Sequence, residues 1–172
     1  MNYTTVSKTK HFDRAVKPIH NLSFASRDLV VPIHWFEVRQ AASSLPLIFI
    51  RRPDGALRFY GLMGFEEGKN LLISPDGRWM AACMPAVFNC YPFKIALGSS
   101  DDIFLSVVEE SEMIVSKNEG DAFFNEDGSL GEVLTKRMDL LKAVYLSEAP
   151  TDEACDLIDA LDLVRDTSFQ MI

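Results

Sequence analysis

Leu47-Ile48-Phe49-Ile50-Arg51-Arg52-Pro53-Asp54-Gly55-Ala56-Leu57-Arg58-Phe59-Tyr60-Gly61-Leu62-Met63 places two apolar, strand-length runs on either side of a turn. Pro53 presets φ, Asp54 offers a side chain to nearby backbone N–H groups, and Gly55 accepts a positive φ. The stretch reads as an antiparallel hairpin, which puts a sheet at the centre of the fold.

Downstream of the hairpin, Asn70–Ser74 reads as a third strand ending in the turn Pro75-Asp76-Gly77. Pro85 to Phe88 forms one or two helical turns, closed before Pro92. Phe93–Leu97 and Ile103–Val108 are a further strand pair joined through Gly98-Ser99-Ser100-Asp101-Asp102. After the turn Asn125-Glu126-Asp127-Gly128, Leu130, Val133, Leu134, Met138, Leu141, Val144 and Tyr145 recur at helical intervals until Pro150. Thr151 then caps a second C-terminal helix carrying Ala154, Leu157, Ile158, Leu161 and Val164.

Upstream, Pro32 opens a helix over 33–44, with Trp35, Phe36, Val38, Arg39, Ala41 and Ala42 at helical spacing and Ser43-Ser44 and Pro46 as its stop. Residues 1–30 read as a weakly structured lead-in with one strand near Asn21–Phe24. The expected fold is α+β: a mainly antiparallel sheet of about five strands, with an N-terminal helix and two C-terminal helices packed on it. One domain spans 1–172, divided into the lead-in (1–30), helix plus sheet (31–110) and an acidic helical part (111–172).

The chain has 172 residues, 48% hydrophobic and 24% charged, and a formal charge of −8. Residues 1–94 hold 12 basic and 7 acidic side chains, whereas residues 95–172 hold 5 and 18, so the two parts attract one another. The acidic balance argues against nucleic acid and against an anionic membrane surface as partners. The longest apolar run, Leu45–Ile50, is too short for membrane insertion, and the polar start Met1–Lys10 lacks a secretory signal. Three cysteines without CxxC spacing suit reduced thiols, so the expected compartment is the cytoplasm.

Reactive constellations are scarce. His11-Phe12-Asp13 with His20 or His34 formally fits a two-His-one-carboxylate metal set, but sits in the segment read as least rigid. Numbering a calcium loop from Gly128 puts Phe123 and Leu134 at ligand positions, which neither can fill. No phosphate-cradling or serine-nucleophile motif occurs. No catalytic residue, metal or cofactor is assigned.

Asn70–Phe93 is the richest segment chemically: Asn70, Arg78, Trp79, Asn89 and Tyr91 stand among Pro75, Pro85 and Pro92 with few acidic residues. Arg, Trp and Tyr supply wide contact area with a polar tip and dominate binding hot spots. Asn70, Arg78, Trp79, Pro85, Asn89 and Tyr91 are therefore the candidate binding residues, with Trp79 and Tyr91 as core anchors the competing reading.

The same region carries a family likeness. Pro32-Ile33-His34-Trp35-Phe36-Glu37, Leu45-Pro46-Leu47-Ile48-Phe49, Gly64, Gly68-Lys69-Asn70-Leu71, Asp76-Gly77-Arg78-Trp79, Met84-Pro85-Ala86 and Tyr91-Pro92-Phe93 resemble, in order and spacing over residues 20–94, the SapC family of bacterial proteins. Phe124 to Gly128 and the C-terminal helices resemble its later portion more loosely. The resemblance implies an S-layer-related or transport-associated role, often beside outer-membrane receptors and flavin-dependent halogenase-like proteins, with no firmly attached reaction. Members often carry a basic pair before Tyr-Pro-Phe, where this chain has Asn89-Cys90, and they are commonly longer.

Two functional classes follow. The first is a non-enzymatic binding or accessory protein that recognises a peptide or protein partner around Arg78, Trp79 and Tyr91. The second is an enzyme, or an obligate enzyme subunit, of an oxidative tailoring system, with Cys83, Cys90, Glu37 and His34 lining a cleft. A surface-layer component is a third reading, disfavoured by the polar N-terminus.

Overall fold

The computed structural model describes residues 2–98 and 102–166. It is an α+β fold whose strands form three small antiparallel sheets. In chain order the regular elements are β1 (Tyr3–Thr5), α1 (Lys8–His11), β2 (Arg14–Val16), β3 (Val30–Pro32), α2 (Val38–Ala41), β4 (Leu47–Arg51), β5 (Leu57–Leu62), α3 (Ala86–Cys90), β6 (Phe93–Leu97), β7 (Ile103–Val108), β8 (Ile114–Ser116), β9 (Asp121–Ala122) and α4 (Glu132–Ala160). The sheet orders are β1-β7-β6, β8-β2-β9 and β3-β5-β4.

The β4–β5 hairpin forms as read, with Ile48 opposite Tyr60 and Phe49 opposite Phe59. Its turn is closed by the Gly55 N–H donating to the Arg52 carbonyl at 2.8 Å and the Ala56 N–H to Asp54 Oδ1 at 3.0 Å, with Gly55 at φ +86°. Gly61 lies mid-strand because a Cβ there would come within 3.2 Å of Leu45 and 3.3 Å of Val31. β6 and β7 coincide with the two strands expected at 93–97 and 103–108; Ser99, Ser100 and Asp101 of their connection lie outside the described residues.

Five readings are corrected. The single sheet of about five strands is instead three sheets of three, because the 1–30 segment is not a lead-in: β1 adds to β7 and β2 bridges β8 and β9. The strand near Asn21–Phe24 is a 3-10 turn, Ser23–Ala25, set by the Ser23 N–H donating to Asn21 Oδ1. Helix 33–44 shrinks to a 3-10 turn, Trp35–Glu37, followed by α2; Pro32 ends an edge strand, where its missing N–H costs no ladder bond. Asn70–Ser74 is a turn rather than a strand, since the Leu72 N–H is captured by Asn70 Oδ1 at 2.9 Å.

At the C-terminus the two expected helices, split at Pro150 with Thr151 as a cap, are instead one helix, α4, that continues through Pro150. Proline removes one i→i−4 bond. Here Pro150 faces solvent, while Leu141, Ser147, Thr151 and Cys155 keep one buried face in register. Thr151 splices the break: its hydroxyl donates to the Ser147 carbonyl at 2.6 Å and accepts the Trp35 N–H at 3.1 Å. Arg51 pairs with Asp159 and Arg58 with Asp152, so basic residues of the hairpin hold the acidic helix.

Two apolar clusters result. Val16, Phe93, Val107, Phe123 and Leu134 pack between β2, the β1-β7-β6 sheet and the start of α4. Leu22, Val31, Ile33, Leu45, Met63 and Phe88 fill the space beneath β3-β5-β4. Among the described residues no helix is long and apolar enough to cross a membrane.

Candidate functional site

β3 is one edge of its sheet and β4 the other, with β5 between them. The Met63 N–H donates to the Leu29 carbonyl and the Ile33 N–H to the Phe59 carbonyl, so by antiparallel alternation Val31 exchanges bonds with Gly61. Val30 and Pro32 then occupy non-hydrogen-bonded positions, and the Val30 N–H and the Val30 and Pro32 carbonyls turn away from β5.

Beside this edge runs a groove of about 380 Å³ lined by Tyr3, Phe24, Asp28, Val30, Pro32 and Tyr91, with Val31, Val87, Phe88 and Phe93 completing its wall. Phe24 and Tyr91 stack with centroids 3.9 Å apart and 19° between planes. Phe24 meets Phe88 edge-on at 6.1 Å, and Phe88 meets Trp79 edge-on at 5.7 Å, which makes a continuous aromatic chain from surface to core. Such offset and edge contacts match the ring quadrupoles. Burial, and secondarily repulsion from an ionised Tyr91, pushes the Tyr3 hydroxyl above its ordinary range, and burial raises the Asp28 carboxyl. The Lys94 ammonium sits 3.8 Å from the Tyr3 ring centroid.

The six residues singled out from sequence divide around this groove. Tyr91 lines it. Trp79 backs it through Phe88, half-buried, with its indole N–H donating to the Cys83 carbonyl at 2.9 Å. Asn70 is buried and ties two loops, donating to the Ala25 carbonyl while accepting from Leu72. Pro85 is fully buried ahead of α3, and Asn89 donates to the Met84 carbonyl. Arg78 is exposed and pairs with Asp76 at 2.7 Å, away from the groove lining. Sequence reasoning missed Tyr3, Phe24, Asp28 and Val30; the β-branched pair Val30-Val31 before Pro32 was the one local signal of an edge strand.

A second concavity, about 300 Å³, opens between the hairpin and α4 and is lined by His34, Arg58, Tyr60, Glu148, Thr151 and Asp152 among others. Behind it Glu37 is buried, its Oε2 accepting the Ala86 N–H at 2.8 Å and its Oε1 the His34 N–H at 3.3 Å; Oε1 is also 3.4 Å from His34 Nδ1. Glu37 therefore caps two backbone segments and orients the imidazole at once. His11 lies elsewhere, meeting Glu109 at 3.1 Å, and among the described residues no three His, Cys, Asp or Glu side chains gather into a group that could hold a metal ion. Cys83 and Cys90 are buried, and desolvation pushes the Cys90 thiol up to about 11.

The sequence profile of the SapC family matches residues 6–171, nearly the whole chain. The chain belongs to the SapC family. Within that SapC match lie both concavities and every element that lines them except Tyr3. No curated protein and no solved structure matches the chain.

Proposed function

We propose that this SapC-family protein is a non-catalytic binding protein that accepts an extended peptide segment of a partner in the groove beside β3. The observation that carries this reading is the open β3 edge lying against the stacked Phe24–Tyr91 platform. An added strand takes its hydrogen bonds from the edge, and the aromatic wall supplies pockets for alternate side chains. The groove's one carboxylate, Asp28, favours a basic side chain in the segment. On this reading the protein works in the cytoplasm as an accessory of a surface-layer or transport system, the association that the family resemblance implies. Random peptides displayed on phage and selected on the immobilised protein test it. Selected sequences share an alternating apolar pattern and lose binding to the Phe24→Ala protein; selections that yield no enriched pattern, or enriched peptides indifferent to Phe24→Ala, contradict it.

One observation favours the second reading, an enzyme or enzyme subunit of an oxidative tailoring system. His34, oriented by buried Glu37, faces a cleft that also holds Arg58 and Tyr60, a setting suited to proton transfer on an anionic substrate. Against it, both carboxylate oxygens of Glu37 are engaged by backbone N–H groups, and Arg58 is already neutralised by Asp152 and Asp156.

A further inference from the structure

The outward face of α4 belongs to neither concavity's apolar wall. Helical spacing sets Ala143, Leu146, Pro150, Ala154, Leu157 and Leu161 on one stripe, and all six are exposed, Leu146 by 69%, Leu157 by 61% and Leu161 by 58%. The opposite face, from Leu134 to Cys155, is the one packed against the protein. α4 is thus apolar on both sides. A helix whose outer side only faces water carries polar residues there, so a contiguous exposed stripe of this length marks an interaction surface.

Charge on the stripe selects its occupant. Glu153 stands at its middle, exposed and without an ion-pair partner among the described residues. Asp139 lies on the same stripe, Asp156 beside it is paired with Arg58, and Lys142 is the nearby cation. An antiparallel second copy would seat the leucines Leu146 and Leu157 against each other but would also press the two copies' Glu153 carboxylates together in a desolvated seam. A helix with a Lys or Arg in the middle of its apolar stripe meets the same leucines and neutralises Glu153. We infer that the outward face of α4 docks an amphipathic helix of a partner protein, its apolar stripe interrupted by a basic residue that pairs with Glu153. The surface shares no residue with the peptide groove, so the two sites stand or fall separately.

The probe is a synthetic amphipathic helix of about 20 residues, long enough to follow the stripe, with leucines along one face and one lysine at its middle. A twin peptide carries glutamate in place of that lysine. Both are titrated calorimetrically into the full chain. The lysine peptide binds and the glutamate twin binds about ten-fold more weakly or worse. Leu157→Gln, an exposed and charge-neutral change, weakens the lysine peptide by a similar factor, and Glu153→Lys reverses the preference between the twins. Equal affinity for the two peptides, or indifference to Leu157→Gln, overturns the inference. So does sedimentation of the free chain as a dimer that Leu157→Gln converts to a monomer, which assigns the face to a second copy.

Discussion

The Phe24 ring lies flat on the Tyr91 ring at 3.9 Å, joining a residue just ahead of β3 to one just behind α3. The pair is both a brace between distant segments and the floor of the groove. Because Phe24 is 36% exposed, much of its ring is available to a ligand rather than committed to the core.

Phe24→Ala is therefore expected to separate binding from folding. Stability falls by about 1–2 kcal/mol, below the range for a fully buried phenylalanine, while affinity for groove-selected peptides drops about ten-fold or more. Chemical denaturation paired with peptide titration checks both numbers.

Trp79→Ala gives the opposite division. The indole packs on Phe88 and its N–H is satisfied by Cys83, so truncation costs about 3 kcal/mol of stability. Peptide affinity, measured well below the lowered melting point, changes less than it does for Phe24→Ala. A Trp79→Ala protein of unchanged stability and lost binding would instead make Trp79 a direct contact.

Glu37 is a structural cap. Glu37→Ala strands the buried Ala86 and His34 N–H groups and lowers stability by about 2–4 kcal/mol. Glu37→Gln keeps an acceptor for one of them and costs less. Urea unfolding of the two variants side by side reads the difference.

The thiols are predicted to be inert. Burial raises the pKa of all three cysteines, Cys90 to about 11. A thiol raised this way is neutral when folded, and the thiolate appears only as pH climbs through that raised value. Iodoacetamide at pH 8, followed by mass spectrometry, labels Cys83, Cys90 and Cys155 slowly in the native protein and quickly in denaturant. Rapid native labelling of Cys83 or Cys90 would revive a nucleophilic role.

Pro150→Ala restores the missing helical N–H on the exposed side of α4 and is expected to raise stability by about 1 kcal/mol or more. Thermal unfolding followed by circular dichroism tests it.

The parts legible in sequence are those whose causes are local. The β4–β5 hairpin is specified by two apolar runs and the chemistry of Pro53-Asp54-Gly55, and β6–β7 by continuous apolar runs. β1 and β2 carry no such pattern: each is three residues long and exists because β7, or β8 and β9, lies alongside, about a hundred residues away in the chain. Local rules end a helix at Pro150, and only the packed Leu141–Cys155 face and the Thr151 splice carry α4 through it. The site divides in the same way. Tyr91 is found from residue type, whereas Phe24 and Val30 become functional candidates through neighbours that their own surroundings in the sequence do not reveal.

Amide hydrogen exchange at Val30, with and without a groove-selected peptide, tests peptide addition to β3 most directly. The Val30 N–H turns away from β5, so it should exchange readily in the free protein and become protected when a peptide strand accepts its hydrogen bond. Protection at Val30 that disappears in the Phe24→Ala protein is the predicted result. Tight peptide binding that leaves Val30 exchange unchanged would contradict it.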